Sequence, residues 1–481
     1  MNEEAGQPHS IRQILRKKVF PFLIVIAVGF LIWVIPHPAE VSDAGWHLLS
    51  IFIATILGII LKPLPIGAMA ILAMSFATLT QTLSLEDVLG SFSNSIVWLV
   101  LLAFFIARGF IRTGLGSRIA YCFVALFGKK TLGLSYGLLA TECILAPAIP
   151  SVTARAGGVI FPVVQSLARS YGSDPEHGTQ ARIGSFLITV AYQGSVITSA
   201  MFLTAMAANP VISAVALEAG FTLSWGMWAL AAMVPGVISL ILMPYLVYKI
   251  YPPEIKNTPD APKLAREKLK EMGRFKKEEW MMLGVFVLLL ILWIFGTLIH
   301  MNPTVAALIG VSLLLILGVI HWFDVTKEDK AWDTFIWFAT LIMLASFLNK
   351  LGVTPWFSQK IIQLVGGFPW FAGFMILALV YFYSHYFFAS NLAHVSAMYP
   401  AFLLVAIGIG TPTALAVLTL GYASSLFGGL THYGSGPAPL FYGSGYVPIK
   451  SWWYVGLIIS FLNILVWFGI GSAYWKLLGI W

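Results

Sequence analysis

Residues 147–157 read Pro-Ala-Ile-Pro-Ser-Val-Thr-Ala-Arg-Ala-Gly, and residues 386–396 read Tyr-Phe-Phe-Ala-Ser-Asn-Leu-Ala-His-Val-Ser. Ser151, Val152, Thr153 and Arg155 fall on Ser390, Asn391, Leu392 and His394 at a constant offset of 239, with no gap. Each stretch is a polar interruption near the middle of an apolar segment, 131–170 in one case and 369–409 in the other. Backbone that stops being helical at membrane depth is tolerated only where protein or a water-filled cavity satisfies its amides. The two segments are therefore expected to be re-entrant helical hairpins around a polar cavity, rather than single crossings.

The surrounding chain supports a lipid setting. Of 481 residues, 59% are hydrophobic and 10% charged, too little polar material to coat a soluble globule. About eleven further apolar runs have the length of a crossing helix, roughly 17–25 residues. Two of them, 182–209 and 413–440, carry polar breaks, expected at Tyr192 and Gln193 in the first and near His432 and Tyr433 in the second. The first run, 19–35, continues straight into further membrane sequence, so it is not expected to be a removable signal. The fold expected is an all-α polytopic membrane protein.

Cys122 and Cys143 lie in or beside apolar segments and are too few for a disulfide framework. The net charge of +8 is scattered over span ends, which favours a role in topology over nucleic-acid binding. Arg12, Arg16, Lys17 and Lys18 precede the first span, and the polar stretch 251–279 carries eight Lys or Arg residues. Both are expected on the cytoplasmic side. Six crossings separate them if the first hairpin does not cross, an even number that agrees.

Other features recur at nearly the same spacing. Trp98 and Trp337 differ by 239 positions, and Gly194 and Ser195 precede Gly434 and Ser435 by 240. An odd number of spans between the hairpins makes the repeat inverted. Inverted repeats with broken helices around a midplane site are the architecture of secondary transporters. The organisation expected is an N-terminal segment and first span over 1–45, a first repeat over 46–250, a cytoplasmic linker over 251–279, possessing a short surface helix, and a second repeat over 280–481.

The site is expected where helices break. Backbone amides and hydroxyls at Ser151 and Ser390 would sit beside half-helix N-termini, which favour anions. Thr153, Ser195, Thr198, Asn391, Thr431 and Ser435 add neutral hydrogen-bonding groups, with Val152, Leu392, Gly194 and Gly434 beside them in the breaks. Each polar residue could alternatively cap its own helix. Arg155 and His394 are ionisable at depth, where a charge costs roughly 2.5–3.5 kcal/mol even on the lenient scale. Two bases in one cavity would suit the two carboxylates of a dianion. The alternatives are an Arg155 pair with Glu142 and an interior, satisfied His394 imidazole.

These motifs resemble those of the divalent-anion/sodium symporter family, whose paired Ser-Asn-Thr tips bind substrate carboxylates and, in symporting members, sodium. The run from Pro150 to Gly157 looks most like the citrate/succinate and 2-oxoglutarate/malate translocator branch. The resemblance implies a carrier of C4 or C5 dicarboxylates, a scaffold domain and a moving transport domain, an elevator-like motion, a homodimer and an inner-membrane location. It implies no cofactor and no resident metal. Here each tip has lost one polar member, Ser151-Val152-Thr153 and Ser390-Asn391-Leu392. Sodium-independent counter-exchange is the expectation, on the argument that Arg155 and His394 stand as fixed cations which only a bound dianion neutralises. Sodium- or proton-coupled symport is the alternative. An enzyme is disfavoured by the absence of His-Glu-x-x-His and Gly-x-Ser-x-Gly motifs, and a channel by the occludable pattern of tips and breaks.

Overall fold

The computed structural model describes residues 19–365 and 369–481. The described chain is helical, without strands; its one isolated bridge pairs Lys130 with Asn257. Among the described residues, eight helices are long and apolar enough to cross a membrane, and six shorter apolar helices of 10–17 residues accompany them. At 1.5 Å per residue the shorter ones do not reach across about 30 Å of hydrocarbon alone. Two of the shorter ones are the outer arms of the expected breaks, Thr131–Leu145 and Thr413–Gly429.

The chain forms two compact units. One joins residues up to Asn94 with Trp332–Leu364. Its core sets Leu48 and Ile51 of helix Asp43–Leu61 and Ala73 and Ala77 of Ile66–Leu79 with Met343 and Leu344 of Asp329–Lys350. Gly67 opens this packing: its N–H donates to Asp333 Oδ1 at 3.2 Å, and a Cβ there would meet the same oxygen at 2.3 Å. The other unit takes Ser95–Ala331 and Val365–Trp481, including both hairpins. Each unit therefore mixes residues from the two expected repeats.

Within the larger unit, helix Gly184–Met201 is buried at every residue, and Thr413–Leu426 at every residue from Ala414 on. Helices apolar on all sides belong inside a large protein or a bilayer. The polar linker folds as expected into a short helix, Ala261–Glu271, lodged against helix Leu115–Phe127. Arg118 fixes the linker's end with a two-pronged pair to Glu279, Nε–Oε1 2.6 Å and Nη2–Oε2 3.1 Å, and donates to the Met272 and Gly273 carbonyls.

The sequence pairing of Gly194 and Ser195 with Gly434 and Ser435 does not hold in space. Tyr192 to Thr198 are continuous helix, and the chain breaks only at Phe202, which is extended. The second helix ends at Leu426 and breaks from Phe427. Aligning the helix ends Met201 and Leu426 gives an offset of 225. At that offset Ser199 falls on Ser424, and both hydroxyls donate to the carbonyl four residues back, Ser195 and Leu420, at 2.6 and 2.8 Å. The two repeats differ in the length of their connection before this helix, 171–183 against 409–412, so one offset cannot serve both hairpins and broken helices.

Candidate functional site

Both hairpins form as two helical arms that pack on each other around a non-helical tip. The first runs Thr131–Leu145, a tip at 146–152, then a π-helical turn Thr153–Ile160 continuing into Phe161–Ser170. The second runs Trp370–Tyr383, a short tight turn, then Asn391–Gly408. Ser151 Oγ accepts from Ala154 N at 3.2 Å, and Ser390 Oγ accepts from Ala393 N at 3.5 Å. Each serine thus caps the helix that follows it, which satisfies one of the amides a helix start leaves over. An acceptor bond to the hydroxyl oxygen leaves its O–H to donate elsewhere.

A cavity of about 160 Å³ lies between these tips. That is some tenfold more than the roughly 10–15 Å³ one water needs. Ser151, Val152 and Thr153 line it from the first hairpin, and Ser390, Asn391 and Leu392 from the second. Met206 to Ala208 and Ser435 to Pro437 line it from the two helix breaks. Two helix N-termini therefore face one shared space, each bringing unsatisfied N–H groups and the positive end of a helix dipole. Gly436 permits the second break to lie against the first tip, since a Cβ there would stand 2.4 Å from Thr153 Oγ1.

The breaks are held open by side-chain amides. Asn209 Nδ2 donates to the carbonyls of Ser199 and Phe202, at 2.8 and 3.0 Å, where the first broken helix ends. Asn391 Nδ2 does the same at the end of the second, to Ser424 and Ser425 at 2.9 and 3.3 Å. Tyr192 and Gln193, expected to break their own helix, instead reach the other break: Tyr192 Oη donates to Gly428 O at 2.5 Å and meets Ser435 Oγ at 2.8 Å, and Gln193 Nε2 donates to Gly429 O at 2.9 Å.

Of the residues expected in the site, seven line the cavity: Ser151, Val152, Thr153, Ser390, Asn391, Leu392 and Ser435. The other seven stand behind it. Gly194 is packed against Leu139, whose Cδ2 would lie 1.9 Å from an added Cβ. Ser195 and Thr198 turn their hydroxyls to helix carbonyls, Tyr192 O at 2.7 Å and Ser195 O at 3.2 Å. Thr431 is buried, and its Oγ1 has no hydrogen-bond partner among the described residues. Gly434 offers its carbonyl to His385 Nε2 at 2.9 Å.

Arg155 and His394 require the largest correction. Arg155 is fully buried, and its guanidinium is occupied by the protein: Nε donates to Glu142 Oε1 at 2.7 Å, Nη1 to the carbonyls of Ile149 at 2.7 Å and Ala205 at 2.9 Å, and Nη2 to Ser199 Oγ at 3.0 Å. The alternative pairing with Glu142 is the one that forms. His394 is equally buried, stacked between Phe388 and Phe427 at centroid distances of 4.4 Å. Its ring nitrogens meet His385 Nδ1 at 3.0 Å and Ser384 Oγ at 3.1 Å. His385 Nε2 donates to the Gly434 carbonyl, the two Nδ1 atoms share the bond between the rings, and Ser384 Oγ, which meets His394 Nε2, also donates to the Tyr381 carbonyl at 2.9 Å. Neither base lines the cavity, so the two do not form a cationic pair for substrate.

Sequence reasoning missed Phe104, Val196, Ser199, Ser425 and residues 206–208, all of which line the cavity. The alanines and Phe104 carry no polar signal. Ser199 and Ser425 lie near the true helix ends, which the wrong offset concealed. Among the described residues no group of three or more His, Cys, Asp or Glu is placed to hold a metal ion.

Comparison with known proteins covers the whole of this architecture. The chain is 57% identical to YflS of Bacillus subtilis (strain 168), named provisionally as a malate transporter, over 96% of this chain and 97% of that protein. It is 51% identical to dicarboxylate transporter 1 of Arabidopsis thaliana chloroplasts, over 96% of this chain and 83% of that one. The crystal structure of the YdaH transporter of Alcanivorax borkumensis shares the fold at a TM-score of 0.56 and 13% identity, covering 98% of this chain and 99% of that one. The family described as the sodium:sulfate symporter transmembrane region matches residues 16–481. That match leaves neither hairpin and neither broken helix outside it, and the chain belongs to this family of membrane transporters.

Proposed function

We propose that the chain carries C4 or C5 dicarboxylates, such as malate, succinate or 2-oxoglutarate, across the cytoplasmic (inner) membrane by alternating access at the cavity between the tips. Family membership makes it a secondary transporter rather than an enzyme. The observation that carries the substrate reading is the meeting of two capped helix N-termini in one cavity. Paired N-termini with neutral hydroxyl and amide donors suit two carboxylates without any fixed cation. The names of the relatives from Bacillus and Arabidopsis agree with a dicarboxylate.

Counter-exchange is the coupling we propose, on grounds different from those the sequence offered. A pair of fixed cations in the empty site is no longer the reason, because Arg155 moves as a neutral pair with Glu142. The remaining support is the loss of one polar oxygen from each tip at Val152 and Leu392, which removes ligands a sodium ion would use. One observation favours the sodium-symport reading: Asn391 Oδ1 and Thr431 Oγ1 are buried oxygens without hydrogen-bond partners among the described residues. A homodimer, an elevator motion of a transport domain against a scaffold and a cytoplasmic N-terminus complete the proposal, by likeness to the family.

Counterflow in proteoliposomes tests it. Labelled dicarboxylate should enter vesicles that contain unlabelled dicarboxylate and fail to enter empty ones, with or without sodium. Sodium-dependent uptake into empty vesicles overturns exchange in favour of symport. Absence of diacid flux in every condition, with folded protein, overturns the substrate.

A further inference from the structure

A second cavity, of about 330 Å³, shares Phe104 and Ser151 with the one between the tips. Helix Ser95–Thr113 presents Phe104, Arg108 and Ile111 to it, four and three residues apart and so on one face. Residues 327–330, Lys-Glu-Asp-Lys, close the other side. Three cations, Arg108, Lys327 and Lys330, thus face two acids.

Asp324 and Glu328 offset this positive field at Arg108 only in part. Glu328 is half-buried, and burial pushes its carboxyl above the ordinary range against the pull of Arg108 and Lys330. Asp324 approaches Arg108 Nε only to 3.8 Å from its Oδ1, while its Oδ2 accepts from Arg112 and from the His321 amide, the latter at 2.8 Å. Burial opposes the Asp324 charge, but the His321 amide, Arg112 and, least, Arg108 hold its carboxyl below the ordinary range, so it stays an anion whose hydrogen bonds go to His321 and Arg112. Arg108 Nε is buried and has no hydrogen-bond partner among the described residues. A guanidinium carries five donors in a fixed fork matched to a carboxylate, and here part of that fork is unfilled.

We propose that this second cavity is a capture site for the dianion, in which Arg108 receives one carboxylate before the substrate passes the Phe104 and Ser151 wall into the cavity between the tips. The inference rests on the dicarboxylate reading above. Lys330, exposed at the rim, adds attraction without contact, and Lys327 is partly engaged over the Phe323 ring at 4.4 Å. The tip cavity lacks a cation among the described residues, so selection of dianions over neutral acids falls to this neighbouring chamber. Ser151, common to both, caps its helix with one lone pair and can pass its O–H from one chamber to the other.

The test is the dependence of diacid exchange on concentration and salt in proteoliposomes of wild type, Arg108→Gln, Arg108→Lys and Lys330→Gln. Arg108→Gln should raise KM about tenfold at roughly 0.01 M salt, where the Debye length is about 30 Å, and far less near 1 M, where it is about 3 Å. Its maximal rate should change less than about twofold, because the chamber holds substrate only in transit. Arg108→Lys should recover most of the affinity, and Lys330→Gln, on an exposed side chain that folding does not need, should raise KM about twofold at low salt. An unchanged KM in both neutral variants, or a fall in maximal rate at constant KM and constant salt dependence, overturns the capture site. Wild-type protein that exchanges no diacid overturns the functional reading instead, so the two failures are distinct.

Discussion

The two hairpins place different chemistry at matching positions. At the offset of 239, Glu142 falls on Tyr381, Ile149 on Phe388 and Arg155 on His394. In the first hairpin these three form a salt bridge with a carbonyl acceptor beside it, Arg155 to Glu142 and to Ile149 O. In the second they form an aromatic cluster, His394 stacked on Phe388 at 4.4 Å and tilted against Tyr381 at 4.8 Å. The neighbouring broken helices follow the same rule. Arg155 reaches Ser199, and Tyr381 meets Ser424 at 2.7 Å, the two serines being equivalent at the offset of 225. One scaffold position is therefore tied by charge in one half and by stacked rings in the other. In both, the base fastens a tip to its own hairpin and to a broken helix, and leaves the helix N-terminus to face the cavity.

Substitutions in three places break or sharpen this comparison. The largest effect is expected at the salt bridge. Arg155→Met strands Glu142 as a buried charge, which costs about 3–5 kcal/mol, whereas the double variant Arg155→Met, Glu142→Leu replaces a pair by apolar groups and should recover most of the loss. Melting of the purified protein in detergent measures both. A single variant with wild-type melting and abolished uptake would mean that the guanidinium meets substrate after all.

A smaller effect is expected in the second hairpin. His394→Phe keeps the stacking but leaves His385 Nδ1 without its hydrogen-bond partner, at a cost of about 1–3 kcal/mol. The same melting series ranks it below Arg155→Met. An equal or larger loss would show that the histidine chain carries charge and that the halves are alike.

The smallest effect separates capping from binding at the tips. Ser151→Ala and Ser390→Ala each remove an N-cap worth about 1 kcal/mol, and the longer bond at Ser390 makes its loss the lesser. Ser→Gly at either position should lower stability by only a few tenths of a kcal/mol. Comparing melting with the KM for diacid assigns the hydroxyls: stability that falls in Ser→Ala with KM constant makes them caps only, and KM that rises equally in Ser→Ala and Ser→Gly, both of which lack the hydroxyl while only the first loses much stability, makes them substrate ligands.

Much of this molecule was legible in its sequence because lipid imposes local rules. A chain with so few charges has to be membrane-embedded, and helices cannot stop at depth without a reason, so Ser151 and Ser390 marked the tips and their spacing marked the repeat. Seven of the residues that line the cavity between the tips were named from that alone. Glu142 could be named as a partner of Arg155 for the same reason, a buried charge needing its opposite nearby. What the sequence could not decide was where a side chain points once helices pack. A helix buried on every side, such as Gly184–Met201, offers no periodicity to say that Tyr192 and Gln193 continue it rather than break it. Asn209 and Asn391 became caps of distant helix ends only through contacts made between segments. Likewise a basic residue beside a tip has the same sequence whether it faces a substrate or a glutamate; the packing around Arg155 and His394 turned both inward, because a buried charge or ring donor is stabilised most by the fixed partners that surround it.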